Sequence, residues 1–315
     1  MTTPQNPLHE NSLAGQESAA AAVSATRPFY WSVRREIWEN RSIYIAPLAA
    51  AGVAMLGFFI GLFSPLHSAH MRGHEDTAHE FLMMVMPYGH TAWLLLIAAF
   101  VVGVFYSLDA LYGERRDRSI LFWKSLPVSD LTAVLSKASI PLVVLPALVF
   151  VITVATNLVM VLISSAVLVL SGTNPMALWR ELPLVQFEVV LLYGVIVLAL
   201  GQAPLFAGLL LISGWARRTA FLWAVLPPLA ICFFEKLVFH TMHFAHLLGY
   251  LVTGGATNAF SFRTPSGAPV DPHFIPLAQI TPGRFLSNPG LWIGLVFAGV
   301  FLAAAVRLRR YREPI

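Results

Sequence analysis

The chain has 315 residues, of which 57% are apolar and only 11% charged, with a formal net charge of +4. A soluble domain carries about 25% charged residues, so this composition excludes an ordinary soluble fold and predicts an all-α polytopic membrane protein. One cysteine, Cys232, inside an apolar run, leaves no intramolecular disulfide and reads as a small core residue.

Residues 1–26 are rich in Ala, Ser, Gln and Asn and place Glu10 and Glu17 before any basic residue. That is the wrong sign for the n-region of a secretory signal, and the segment reads as a disordered cytoplasmic tail. Residues 27–41 predict an amphipathic helix lying in the membrane interface. Phe29, Tyr30, Val33, Ile37 and Trp38 share one arc, Arg35, Glu36 and Glu39 the other, and Arg34 is free to snorkel.

Six apolar segments then satisfy the length of about 20 residues that a helical span requires: Ser42 to Phe63, His90 to Ser107, Ile140 to Leu170, Phe187 to Ser213, Ala220 to Val238 and Leu291 to Ala305. An even number places both termini on one side. Fifteen of the 20 Lys and Arg residues fall on that side and five on the other, so the positive-inside rule makes both termini cytoplasmic. The isoelectric point near 9.4 is therefore a topology signal and not a sign of a nucleic-acid partner.

Within this six-span region, residues 42–310, the third segment is too long for one crossing, roughly 46 Å against a hydrocarbon core of about 30 Å. It must tilt or project, and Pro141 and Pro146 offer places to bend. Pro227 and Pro228 predict a kink in the fifth. Gly57 and Gly61 in the first span, and Gly194, Gly201 and Gly208 at seven-residue intervals in the fourth, mark faces where backbones can approach. Which of these pack within a subunit and which between subunits is open at this stage.

Polarity at depth is sparse. Thr153, Thr156 and Asn157 in the third span and Gln202 in the fourth are candidates for a substrate path, with Pro204 able to open the backbone beside Gln202. Asp109 and Glu188 fall at span ends in this reading, which leaves no formal charge near a midplane. A proton- or sodium-driven carrier normally has such a site, so an external energy source is expected.

The external segments carry histidines. His67, His70 and His74, at i, i+3 and i+7, with Glu75 or Asp76 beside them, are weak candidates for a metal site; a solvated polar loop is the favoured reading, since a closed site needs four well-placed ligands. Lys236, His240, His243 and His246 form a second stripe, expected at the interface, where the external excursion 239–288 begins. No G-x-x-x-x-G-K-[ST] pattern and no Gly-Lys pair occurs, so no phosphate-binding loop is present. No catalytic residue and no cofactor of the chain's own is expected.

The densest information lies between Tyr112 and Asp130, a charged loop pinned between two apolar runs. A cluster of Glu114, Arg115, Arg116, Asp117 and Arg118 precedes a short apolar helix from Ser119 to Ser125. Pro127 stops it, and the next helix is expected to start at Ser129 with Asp130 in its first turn. Glu114, then Ser119-Ile120-Leu121, then Leu126-Pro127-Val128-Ser129 and the later Lys137 resemble the first cytoplasmic loop of ATP-binding-cassette (ABC) transporter permeases of the type-2 exporter class. Many exporters of this class carry a basic residue after the Leu-Pro-Val-Ser element, whereas this chain has Asp130.

The resemblance implies a permease subunit in a bacterial inner membrane. It would dimerise with itself or a homologue, form a substrate path through the bilayer and recruit a separate ATPase subunit that binds ATP and Mg. It also implies that the loop 112–137 holds the coupling helix. Ile120, Leu121, Phe122 and Trp123 would fill a socket on the ATPase and Arg115, Arg116 and Arg118 would pair with acidic groups at its rim. Two other readings stay open: a membrane protein that handles a metal ion through its external histidines, and a non-transporting membrane anchor of a complex.

Overall fold

The computed structural model describes residues 27–63, 77–117, 128–172, 174–262 and 275–311. The expectations for residues 1–26, for His67, His70 and His74, and for Arg118, Ile120, Leu121, Phe122, Trp123 and Pro127 lie outside the described residues. Among the described residues the structure is helical with no strand; one isolated antiparallel bridge joins Phe260 to Ile280.

Six helices among the described residues are long and apolar enough to cross a membrane, as the sequence predicts. In chain order, α1 is Arg27–Glu39, α2 Ser42–Phe63, α3 Thr77–Asp109 and α4 Tyr112–Arg116. The third span begins as α5, Asp130–Ser139, capped by Ser129, whose side chain accepts from the Thr132 N–H at 3.1 Å. It passes through a π turn, Ile140–Val144, and continues as α6, Leu145–Leu170. The widened turn coincides with Pro141, which has no N–H to give to the α-helical ladder. The continuous rod Asp130–Leu170 has 41 residues, about 61 Å at 1.5 Å each, so it outruns a bilayer core.

The fourth span differs from its expectation as a single helix. It is broken into α8, Leu184–Gly201, and α9, Ala203–Trp215, with Gln202 between them. Pro204 in the first turn of α9 is the cause: a proline ring inside a continuous helix would remove a bond and collide with the turn before it. The short α7, Met176–Glu181, leads into α8. The fifth span is α10, Ala220–Phe234, extended by a π turn, Glu235–Phe239. Pro227 and Pro228 lie inside α10 without ending it.

Beyond the fifth span the chain folds back as α11, His243–Thr253, and α12, Ala256–Ala259. Gly254 and Gly255, both at positive φ, end α11 in the left-handed region that favours glycine. There the backbone of Gly254 lies against Gly201, where a Cβ would strike it, and Gln202 Nε2 donates to the Val252 carbonyl at 2.6 Å. The short α13, Pro282–Leu286, precedes the last span, α14, Pro289–Tyr311.

Small residues set the tightest packing. Gly208 faces Phe301, Gly294 faces Pro204 and Gly214 faces Leu308, so α9 and α14 run side by side. The fourth-span glycines therefore pack within the subunit: Gly194 on Phe260, Gly201 on Gly254 and Gly208 on Phe301. Gly57 and Gly61 meet nothing within 4 Å. Cys232 is only partly buried, on an α10 whose one buried residue is Ala220.

Candidate functional site

At the end of the bundle where α1, α4, α5 and α14 meet, six charged side chains form one connected network. Glu36 on α1 accepts from Lys137 Nζ at 2.8 Å and from Arg35 at 2.8 Å through Oε1, and from the Tyr106 hydroxyl at 2.8 Å through Oε2. Glu114 on α4 pairs with Lys137 at 3.1 Å and Arg35 at 3.2 Å through Oε1, and with Arg309 at 3.3 Å through Oε2. Arg309 then reaches Asp130 at 3.0 Å. Three carboxylates face three cations, and a fourth carboxylate, Glu39, joins at the rim through Arg35 at 3.4 Å.

The network is deeply buried: Glu36 is 1% exposed, Lys137 3% and Arg309 6%. Charges taken out of water at this depth are tolerable only when paired and hydrogen-bonded. At the rim, burial pushes the Glu39 carboxyl above the usual carboxylate range, against the opposing pull of Arg35.

Local sequence explains how each group arrives. On α1, Val33 and Ile37 pack into the core formed by Ile43, Val102, Tyr106 and Ile140, and Glu36, beside Val33 on the wheel, is carried inward with them. This corrects the orientation expected of that helix. Its acidic arc faces the protein through Glu36, while Phe29, Tyr30, Trp31 and Trp38 are exposed. Arg34 lies over the rings of Trp31, at 5.1 Å, and Trp38, at 4.4 Å, a cation over aromatic faces.

The loop that follows α4 is fixed at both of its roots. Before it, the Ser213 hydroxyl accepts from the N–H groups of Leu111 at 3.0 Å and Tyr112 at 2.8 Å. Arg115 donates to the carbonyls of Gly214 at 2.8 Å and Ala216 at 3.1 Å, where the end of α9 leaves acceptors free for a cation. After it, Asp130 is held by Arg309. Glu114 and Asp130, on opposite sides of residues 118–127, thus share one arginine from the last span.

Of the described residues expected to touch a partner, Glu114 and Arg115 are engaged inside the protein. Arg116 and Asp117 are exposed, pair with each other at 3.0 Å, and Arg116 also reaches Asp109 at 4.0 Å. The residues expected along a substrate path fall in two places. Thr153, Thr156 and Asn157 are buried on α6, where Thr156 donates to the Ile152 carbonyl at 2.7 Å and Asn157 donates to Glu188 at 3.0 Å. Gln202 sits at the α8–α9 break, 14 residues or about 21 Å along α8 from Glu188, so the two are not brought together.

Among the described residues no group of three or more His, Cys, Asp or Glu side chains could hold a metal ion. The expected stripe from Lys236 to His246 is interrupted. His240 adopts positive φ, and Glu235 turns back to accept from the N–H groups of His243 at 2.7 Å and Phe244 at 2.9 Å, closing the start of α11.

Sequence reasoning missed Glu36, Tyr106 and Arg309 as members of one site. A carboxylate between Val33 and Ile37 and an arginine in the last turn of an apolar span are the signals that could have found them. No protein-family model matches the chain, and neither does any curated protein or any solved structure.

Proposed function

We propose that this chain is the membrane-spanning permease subunit of an ABC-type transporter, driven by a separate ATPase that docks on the loop between the second and third spans. The observation that carries the reading is the clamp at the loop's two roots: Glu114 and Asp130 share Arg309, and Glu114 shares Lys137 with Glu36. A connector that only enforces topology needs no such clamp. A loop that transmits force does, because a push on residues 118–127 is useful only if its roots move rigidly with the first and last helices.

In this reading the charged end faces the cytoplasm, α1 lies along the inner membrane surface with its exposed aromatic residues and Arg34 toward the headgroups, and both termini are cytoplasmic. Arg116 and Asp117, exposed beside the loop and paired only with other exposed groups, are placed to meet a partner. The apolar side chains of Ile120, Leu121, Phe122 and Trp123 fill the ATPase socket. ATP and Mg bind to that partner, since the chain has no phosphate-binding loop. Export is the direction that the resemblance implies, and a second copy or a homologue completes the path.

The test is the double variant Leu121→Ala with Trp123→Ala. Interface anchors of this kind are worth about 2 kcal/mol or more, so the variant should insert normally yet lose an ATPase that co-purifies with the wild-type chain. Normal assembly and transport in that variant would remove the docking assignment. Cysteines at Ser119 and Ile315 should label from the same side of the membrane and one at Thr77 from the other; any different pattern contradicts the orientation.

A further inference from the structure

Far from the charged network, α6 and α8 meet through one polar contact. Asn157 Nδ2 donates to Glu188 Oε1 at 3.0 Å. The second oxygen of each group, Asn157 Oδ1 and Glu188 Oε2, is buried with no hydrogen-bond partner, and so is Thr153 Oγ1 one turn along α6. Asn157 is 4% exposed and Thr153 not at all. Leu178 and Leu182 share one packed cluster with Met160 and Val161, the next turn of α6.

Two acceptors buried side by side without a donor are costly. A carboxylate offers only acceptors, whereas a carboxylic acid adds one O–H. A proton on Oε2 lets Glu188 donate to Asn157 Oδ1 while it accepts from Nδ2. One proton therefore satisfies both orphaned oxygens and closes an acid–amide ring of two hydrogen bonds.

No neighbouring charge offers an alternative. Among the described residues no cation forms an ion pair with Glu188. Of the elements packed on α8, α6, α9 and α12 contain no titratable residue, and the arginines of α14 are Arg307, Arg309 and Arg310 at its charged end. The side chains of His243, His246 and Tyr250 belong to α11, which meets the other end of α8 near Leu198. On α8 itself Tyr193 donates to the Ala259 carbonyl, and Arg180 stands on α7 before it. Tyr88 and His90 lie on α3, which packs on α6, and His90 bonds to the Met86 carbonyl.

We propose that Glu188 is a proton-binding site: a neutral acid closed on Asn157 between the third and fourth spans, which ionises when those spans part. On separation the O–H bond at Oε2 breaks heterolytically, its electron pair stays on the carboxylate and the proton passes to water. Any motion that opens α6 from α8 is then coupled to release of one proton. This inference does not rest on the transport reading, and its test needs neither an ATPase nor a substrate.

The test is infrared spectroscopy of the full-length chain in lipid, as wild type and as Glu188→Gln. Gln can form the same ring, with its amide nitrogen donating to Asn157 Oδ1, so the variant should fold with an unchanged melting temperature. The wild type at neutral pH should show a protonated-carboxyl carbonyl band that shifts on deuteration and is missing from Glu188→Gln. Absence of that difference band, or a large drop in melting temperature in Glu188→Gln, would overturn the proposal.

Discussion

One continuous helical rod carries both polar centres of this protein, and they are built in opposite ways. Lys137, near its start, sits among three carboxylates and two arginines where every charge is answered. Asn157, 20 residues and about 30 Å further along, faces a carboxyl group with one hydrogen bond made and two oxygens left over. A network of shared ion pairs resists change, because moving any member strands another in a dry environment. A centre that is short of one proton has a second state available at the cost of that proton. The first suits a mechanical joint, the second a gate between helices.

The comparison can be broken most sharply at Lys137. Lys137→Met leaves Glu36, Glu114 and Asp130 with only Arg35 and Arg309 to answer them, so charge in the interior goes uncompensated, a change that costs about 3–5 kcal/mol. It should lower the melting temperature in detergent more than any other single change named here. Adding Glu36→Gln to it should restore part of the loss, since it removes the stranded charge. No restoration would mean that the network is not coupled in the way its distances indicate.

At the other centre, Asn157→Leu should cost less, about 1–3 kcal/mol, because it strands a group that can stay neutral. A loss equal to that of Lys137→Met in the same thermal assay would erase the distinction between the two centres. Gly201→Ala probes packing near the far end with no charge involved. Its Cβ would meet the Gly254 backbone, and overpacking of this kind costs about 1–3 kcal/mol. It should also loosen the Gln202–Val252 hydrogen bond, visible as faster amide exchange in α11. The smallest effect is expected at Arg116, exposed and paired only with exposed carboxylates. Arg116→Glu should change stability by less than about 1 kcal/mol, and any effect on partner binding should fade as salt is raised.

Much of the fold was legible because hydrophobic length is a strong signal in a membrane chain. The six spans fall on the six apolar runs, with the fourth cut short at Gly201, Ser129 caps the helix it was expected to cap, and Pro141 marks the widened turn. The break at Gln202 was only half visible. Pro204 announces it, but an unbroken apolar run from Phe187 to Ser213 outweighs one proline, and the reason it is tolerated, the Val252 carbonyl that comes to Gln202, is 50 residues away. The charge network was least legible, since Glu36 looks like any surface residue on an amphipathic helix. Its burial is decided by Lys137 and Tyr106, which local periodicity cannot see. Glu188 was placed at a span end by counting residues; its meeting with Asn157 depends on how α8 leans on α6, and no pattern along the chain encodes that.

The contact between Glu36 and the rest of the network also sets an order of events during synthesis. Glu36 emerges early, its partner Lys137 follows about 100 residues later, and Arg309, which ties the loop's two roots together, comes about 270 residues after Glu36. At a ribosomal pace of 5–20 residues per second the delay to Arg309 is roughly 15–55 s. Through that interval α1 carries a carboxylate whose final surroundings do not yet exist, and it must stay in contact with water until the third span arrives. The joint closes only when the sixth span is in place, so a nascent chain with five spans inserted still has a loop with unclamped roots. Closure of this cluster is thus a built-in report that the last span has been threaded.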